Sequence, residues 1–307
     1  MYRILSLALA LPLVGCQGIG GQSLATAEPE MTQAECEANP GFLFVNGGNF
    51  IAGSDREERD YAYRISAEGF ADSPDAIDRA EAGYRQQGWF EREPEQRTVQ
   101  LPAFCMGTNL ITNADYQAFI RATGHRTPGI SADDYQDQGF LVHDYSAVEP
   151  YLWQDDQYPS EQAQHPVVLV SYEDAIAYAE WRSAQDGFRY RLPSTVEWEK
   201  AARGTDGRYF PWGSEWRNDG TNWAKHGPEG TSAIASYPLS QGPYGHEDMA
   251  GNVFEYTSDL VKDDSEVLLK GCGWDDFPGF CRAAYQHDRP TESRHILFGF
   301  RLVVEHN

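Results

Sequence analysis

Apolar positions in this chain fall in short, dense runs separated by long polar stretches, and most runs carry their own boundary signals. Phe42-Leu43-Phe44-Val45 predicts a strand, followed by a Gly47-Gly48 turn and Phe50-Ile51. Residues 55–97 are strongly charged and predict one helix. Ser73-Pro74-Asp75 supplies its N-cap, first-turn proline and acidic first turn, and it runs to about Gln87. This stretch reads as an insertion or lid on the core. Thr98 to Met106 predicts a strand. Beyond Thr112-Asn113, a helix from Ala114 to Thr123 places Tyr116, Phe119 and Ile120 at i, i+3 and i+4, a buried stripe.

Residues 125–164 read as a long loop with Tyr135, Tyr145, Tyr151, Trp153 and Tyr158 set among acids, as binding-surface or core-covering aromatics. His165 to Val170 predicts a buried strand. Ser171, with Asp174 three residues on, starts a helix whose Ile176, Ala179 and Trp181 face the core. The densest signal is Tyr190 to Gly213. Ser194 and Glu197 have capping-box spacing, a short helix follows through Trp198 to Ala202, and Arg203-Gly204 stops it. Tyr209, Phe210, Pro211, Trp212 and Gly213 then form an aromatic cluster that buries area with little regular structure. The chain closes with Leu268 to Asp276, Phe280 to Tyr285 and a strand over Phe298 to Val304.

Composition adds an address. The first fifteen of 307 residues pair Arg3 with an apolar run too short to span a bilayer, and Leu13-Val14-Gly15-Cys16 matches a bacterial lipobox. The expectation is a signal peptide over 1–15, lipidation of Cys16, a flexible tether over 16–40 and a single domain over 41–307. Its insertions would lie at about 55–97 and 125–164. Gln17 after the cysteine favours the outer membrane, so the chain is expected lipid-anchored in the cell envelope. The net charge of −23 becomes −24 once Arg3 leaves with the leader, which argues against nucleic acid as a partner. Cys36, Cys105, Cys272 and Cys281 remain, and four cysteines allow three pairings. Proximity and position favour Cys36–Cys105 and Cys272–Cys281.

No nucleophile elbow, Walker loop or His-Glu-x-x-His helix is present. Asn252 and Glu255, with Asp248 and Asp259 nearby, offer oxygen ligands suited to Ca²⁺; the competing reading is that Asn252 and Glu255 brace a tight turn.

Taken together, several blocks resemble the formylglycine-generating-enzyme (sulfatase-modifying factor) superfamily. They are FVNGGNFIAGS at 44–54, LPAFCMGTNLITNADYQAF at 101–119, HPVVLVSYEDAIAYAEW at 165–181 and YRLPSTVEWEKAARG at 190–204. YFPWG at 209–213, DMAGNVFEYTSD at 248–259, KGCGW at 270–274 and FGFRLV at 298–303 continue the match. The resemblance implies an irregular α+β fold related to C-type lectins, with low regular secondary structure and structural calcium. It places one calcium set on Asn252, the Val253 carbonyl and Glu255. A second set uses Asn222, the Trp223 carbonyl and a downstream aspartate, where this chain reads His226-Gly227-Pro228-Glu229.

Formylglycine-generating members hold copper on two cysteines five positions apart, a soft-ligand pair suited to Cu(I). Here Cys272 takes the place of a family glycine and Cys281 lies nine positions later, so neither falls on the catalytic positions. A structural disulfide is expected there rather than copper. The related oxidase of histidine derivatives needs a separate iron-binding domain, for which this chain has no room. The resemblance therefore implies a non-catalytic protein that binds a ligand or protein partner through C-terminal loops, by Asp275, Asp276, Phe277, Phe280, His287, Asp288 and His295. It would be a display protein of the diversity-generating-retroelement type or an envelope accessory protein. The alternative is a periplasmic oxidase or tailoring enzyme of the same superfamily, copper-dependent in one version.

Overall fold

The two ends of the chain meet in one sheet. The computed structural model describes residues 31–139 and 142–305; the leader and Cys16 lie outside them. The first element is α1 (Gln33–Glu37), capped by a Thr32–Glu35 box, with Cys36 buried. The tether expected up to residue 40 therefore ends sooner, because Cys36 is bonded to Cys105. Strands β1 (Phe42–Val45) and β2 (Gly48–Ala52) follow as predicted.

The charged stretch differs from expectation. It forms two helices, α2 (Arg56–Phe70) and α3 (Pro74–Gln87). The predicted single strand over 98–106 is two, β3 (Arg97–Leu101) and β4 (Phe104–Gly107), broken at Pro102-Ala103, where proline offers no ladder donor. Helix α4 (Asn113–Thr123) has the expected buried stripe and a Thr112–Asp115 capping box. The long loop contains α5 (Ala132–Asp137) and two 3₁₀ turns, and it buries Tyr135, Tyr151 and Trp153. These are core-covering aromatics.

The expected strand over 165–170 is absent. Val167 to Val170 are buried, but Leu169 sits at φ 59°, and that left-handed residue breaks any extended run. Helix α6 (Tyr172–Asp186) buries Ala175, Tyr178 and Ala179, with Ile176 and Trp181 only half-buried against the core. After β5 (Arg189–Arg191) comes α7 (Thr195–Arg203), with the predicted Ser194–Glu197 box. Strands β6 (Phe254–Val261), β7 (Glu266–Gly271) and β8 (Gln286–Pro290) form a meander. The closing strand is split into β9 (Phe298–Gly299) and β10 (Val303–Glu305).

One sheet orders as β1-β4-β10-β5, another as β8-β7-β6-β9, and β2-β3 form a separate ribbon. The result is an α+β fold with short elements. Both favoured disulfides are present, Cys36–Cys105 across 69 positions and Cys272–Cys281 across nine. Loop-closure entropy assigns about 4 kcal/mol to the first and about 2.5 kcal/mol to the second.

What joins the charged insertion to the rest is a chain of six buried charges. Arg282 reaches Glu58 on α2 at 3.1 Å and also pairs with Glu93. Glu58 meets Arg203 of α7 at 3.1 Å, and Arg203 meets Glu199 at 3.0 Å. Glu199 ends the chain on Lys270 at 3.4 Å. Three acids balance three bases, and none of these side chains is more than 5% exposed. Burial still pushes the Glu58 carboxyl above its usual range, against the pull of Arg282 and Arg203. Removing one member leaves an uncompensated interior charge. Glu58→Gln is therefore expected to cost about 3–5 kcal/mol in urea unfolding. Arg64→Ala, on the exposed face of the same helix, should leave the midpoint nearly unchanged.

Candidate functional site

The segment from Gly271 to Cys281 leaves the end of β7 and is pinned along its length. Cys272 and Cys281 are bonded to each other, and the Gly251 N–H donates to Cys272 Sγ at 3.0 Å. Gly273 N–H donates to Asp276 Oδ2 at 2.7 Å, and the Asp276 N–H donates back to the Gly273 carbonyl at 3.2 Å. The Trp274 N–H bonds to the Asn252 carbonyl at 2.9 Å, and the Asp276 carbonyl accepts from the Ala224 N–H at 3.1 Å. At Gly279 a Cβ would lie 2.3 Å from Ser66 Oγ and 2.6 Å from the Ala62 carbonyl of α2, so only glycine fits.

This pinning divides the seven residues expected to contact a ligand. Phe277 packs on Phe70, and Phe280 packs on Trp89, Phe90 and Tyr285, with ring centroids 4.9–5.6 Å apart. These two rings anchor the insertion. Asp288 lies on the edge strand β8 and pairs with Lys262 at 2.6 Å. His287 packs on Phe254 at 4.2 Å.

Asp275, Asp276 and His295 do come together, around a residue that sequence reasoning missed. His143 Nε2 bonds to Asp275 Oδ2 at 2.8 Å, and its ring stacks on Trp274 at 5.0 Å. The His295 ring lies 6.3 Å from it, with Tyr135 Oη 3.3 Å from His295 Nε2. His143 has no periodic signal; its one cue is a lone imidazole directly after the apolar run Phe140 to Val142 in an acidic loop.

The electrostatics of the cluster follow from enclosure. The Asp276 carboxyl is pushed well above the usual carboxylate range, by desolvation first and then by Asp275. Burial lowers His295 to about 3, with help from the charge of His143 and Arg289. Burial likewise pushes His287 well below its ordinary value. Asp275 Oδ1, Trp274 Nε1 and His287 Nε2 are buried without a hydrogen-bond partner among the described residues. A buried carboxyl whose protonated form is favoured by desolvation, an imidazole–carboxylate contact and three buried polar atoms unsatisfied among the described residues can bind a polar group.

The calcium sets fare differently. Both Glu255 oxygens accept from Arg301, at 2.6 and 2.8 Å, and Asn252 Oδ1 accepts from the Ser232 N–H at 2.9 Å. Val253 is buried between them. With those oxygens committed to N–H donors, this set braces the turn and does not fit a cation as arranged. Asp259 caps α7 through Thr195. Asp248 accepts from the Ala235 N–H, and burial pushes it up to about 6. At the other set, Asn222 Oδ1 is buried without a hydrogen-bond partner among the described residues, while the Trp223 carbonyl accepts from the His226 N–H at 2.9 Å. No group of three or more His, Cys, Asp or Glu able to hold a metal occurs among the described residues.

Comparison with known proteins fixes the family. Residues 27–306 match the sulfatase-modifying factor enzyme 1-like domain, and the chain belongs to that family. It is 29% identical over 200 residues to formylglycine-generating enzyme of Mus musculus, covering 54% of this chain and 52% of that protein. The chain thus spans about half the length of this relative. It is also 27% identical over 269 residues to inactive C-alpha-formylglycine-generating enzyme 2 of Mus musculus, covering 78% and 75%. Hercynine oxygenase of Mycolicibacterium smegmatis is 27% identical over 251 residues, covering 69% and 55%. Among solved structures, PvdO from Pseudomonas aeruginosa shares the fold with TM-score 0.62 and 22% identity, over 86% of this chain and 94% of that one. Treponema denticola variable protein 1 does so at TM-score 0.56 and 16% identity, with the same coverage.

Because His295 stays neutral in the fold and takes a proton only on unfolding, its contribution is lost as pH falls from about 6.5 toward 3. Between pH 7 and pH 5 this histidine should cost about 2 kcal/mol of stability. His295→Gln should flatten the acid limb of a urea-midpoint profile by that amount. His287 supplies a remaining slope of the same sign, and Asp276 opposes it.

Proposed function

We propose that this chain is a lipid-anchored, extracytoplasmic member of its family that binds a ligand or partner and does not run thiolate–copper chemistry. The observation that carries this reading is the Cys272–Cys281 disulfide. It occupies the segment where the family resemblance locates the catalytic thiols, and it leaves both sulfurs bonded and buried. A relative described as inactive, matched over 78% of this chain, is compatible with loss of the oxidase. The lipid anchor is assigned to Cys16 and the location to the cell envelope, at the outer membrane, on the lipobox.

The ligand face is narrower than the whole C-terminal segment. It centres on Asp275, Asp276, His143 and His295, since Phe277 and Phe280 are consumed by the insertion. A display protein and an envelope accessory protein would both use this face. Calcium, in this reading, belongs at the Asn222 turn, where a buried oxygen lacks a hydrogen-bond partner among the described residues, and not at the Asn252–Glu255 turn.

A second reading draws on the same cluster. The His143–Asp275 contact, beside an Asp276 carboxyl pushed upward by burial, suits acid–base catalysis without thiols, as in a tailoring enzyme. Both readings exclude copper on cysteine. Thiol titration of the denatured, unreduced chain should find no thiol from Cys36, Cys105, Cys272 or Cys281, and Cu(I) titration should show no thiolate-to-copper absorption. Two titratable thiols with stoichiometric Cu(I) uptake would restore the oxidase.

A further inference from the structure

A cleft of about 610 Å³ opens between α2 and the loop from Glu215 to His226. Its size falls in the range of small-ligand sites, roughly 300–1,000 Å³. Its walls are held together: the Trp216 N–H donates to Tyr61 Oη of α2 at 2.8 Å. A Cβ at Gly69 would lie 2.7 Å from Pro278, so a glycine on α2 lets the C-terminal loop close the cleft floor.

The lining has a definite chemistry. Trp216 and Trp223 meet edge to face at 5.3 Å beside Tyr61, and both indole N–H groups are already spent on Asn218. The indoles therefore offer ring surface and not donors. Around them stand acceptors, Glu68, Asp72 and Glu215, and donors, Arg64 and Lys225. Signs are mixed along this rim, so neither a polyanion nor a polycation gains net attraction. A purely apolar ligand would strip water from the rim charges without replacing their hydrogen bonds. A hydroxyl both donates and accepts, so it satisfies neighbours of either kind. A pyranose ring adds an apolar C–H face to set against an aromatic one.

We infer that this cleft binds an uncharged oligosaccharide, with Trp216 as the stacking platform and Glu215 and Lys225 as hydrogen-bonding partners at the rim. The cleft adjoins the Asp275 segment through Pro278 and the Ala224–Asp276 hydrogen bond but shares no lining residue with that cluster, so the two sites are tested independently. The test titrates the full chain with chitotriose (as its N-acetylated form), cellotriose and maltotriose, following tryptophan fluorescence and heat. One of them should give saturable binding in the micromolar to millimolar range. Trp216→Ala should weaken it tenfold or more, about 1.4 kcal/mol. Glu215→Gln and Lys225→Ala, at exposed positions that leave the fold untouched, should each weaken it several-fold. The inference is overturned by no saturable response to any of the three. It also fails if Glu215→Gln and Lys225→Ala retain wild-type affinity, or if trialanine binds and the sugars do not, which would make the cleft a peptide site.

Discussion

Arg282 sits where three parts of the molecule meet, and its buried guanidinium determines how they are arranged. An isolated interior charge is unaffordable, so Arg282 requires Glu58 from α2 and Glu93 from the segment after α3. Glu58 in turn requires Arg203, and the chain continues through Glu199 to Lys270. The six charges come from four stretches, so they balance only when insertion, α7, β7 and the C-terminal loop are all in place. The insertion is thereby part of the core. Its glycine and serine accept the turn at Gly279, and its aromatics accept Phe277 and Phe280.

That arrangement has a functional consequence. The stretch in which the family resemblance locates redox chemistry is bonded to itself through Cys272–Cys281 and roofed by α2. On the flank of that stretch, His143 reaches Asp275 and the Trp274 ring, and the proposed ligand face is centred there. The family scaffold is retained in this member, and a disulfide staples the stretch between Cys272 and Cys281.

Much of this was legible in the chain. The Ser194–Glu197 box, the Tyr116–Phe119–Ile120 stripe, both cysteine pairs and the family blocks all correspond to observed structure. What escaped did so for physical reasons. Helix α2 hides its buried face because part of that face is charged: Glu58 and Arg59 are interior, and a reading that equates charge with solvent discards them. Val167 to Val170 has strand composition, yet one left-handed residue at Leu169 cancels it. His143 belongs to a loop without periodicity, and its partner is 132 positions away. The Glu255 carboxylate looked like a cation ligand because nothing local shows that Arg301 claims both oxygens.

The central claim is that the C-terminal loop and the insertion are one cooperative unit, which makes the Gly271–Cys281 segment a fixed scaffold. Native-state hydrogen exchange tests it most directly. The Gly279 amide, bonded to Ser66 Oγ at 3.0 Å, and the interior amides of α2 should open together, with the same free energy and the same denaturant dependence. Fast exchange at Gly279 and its neighbours while α2 stays protected would contradict the account, because the loop would then move independently of the charges said to hold it.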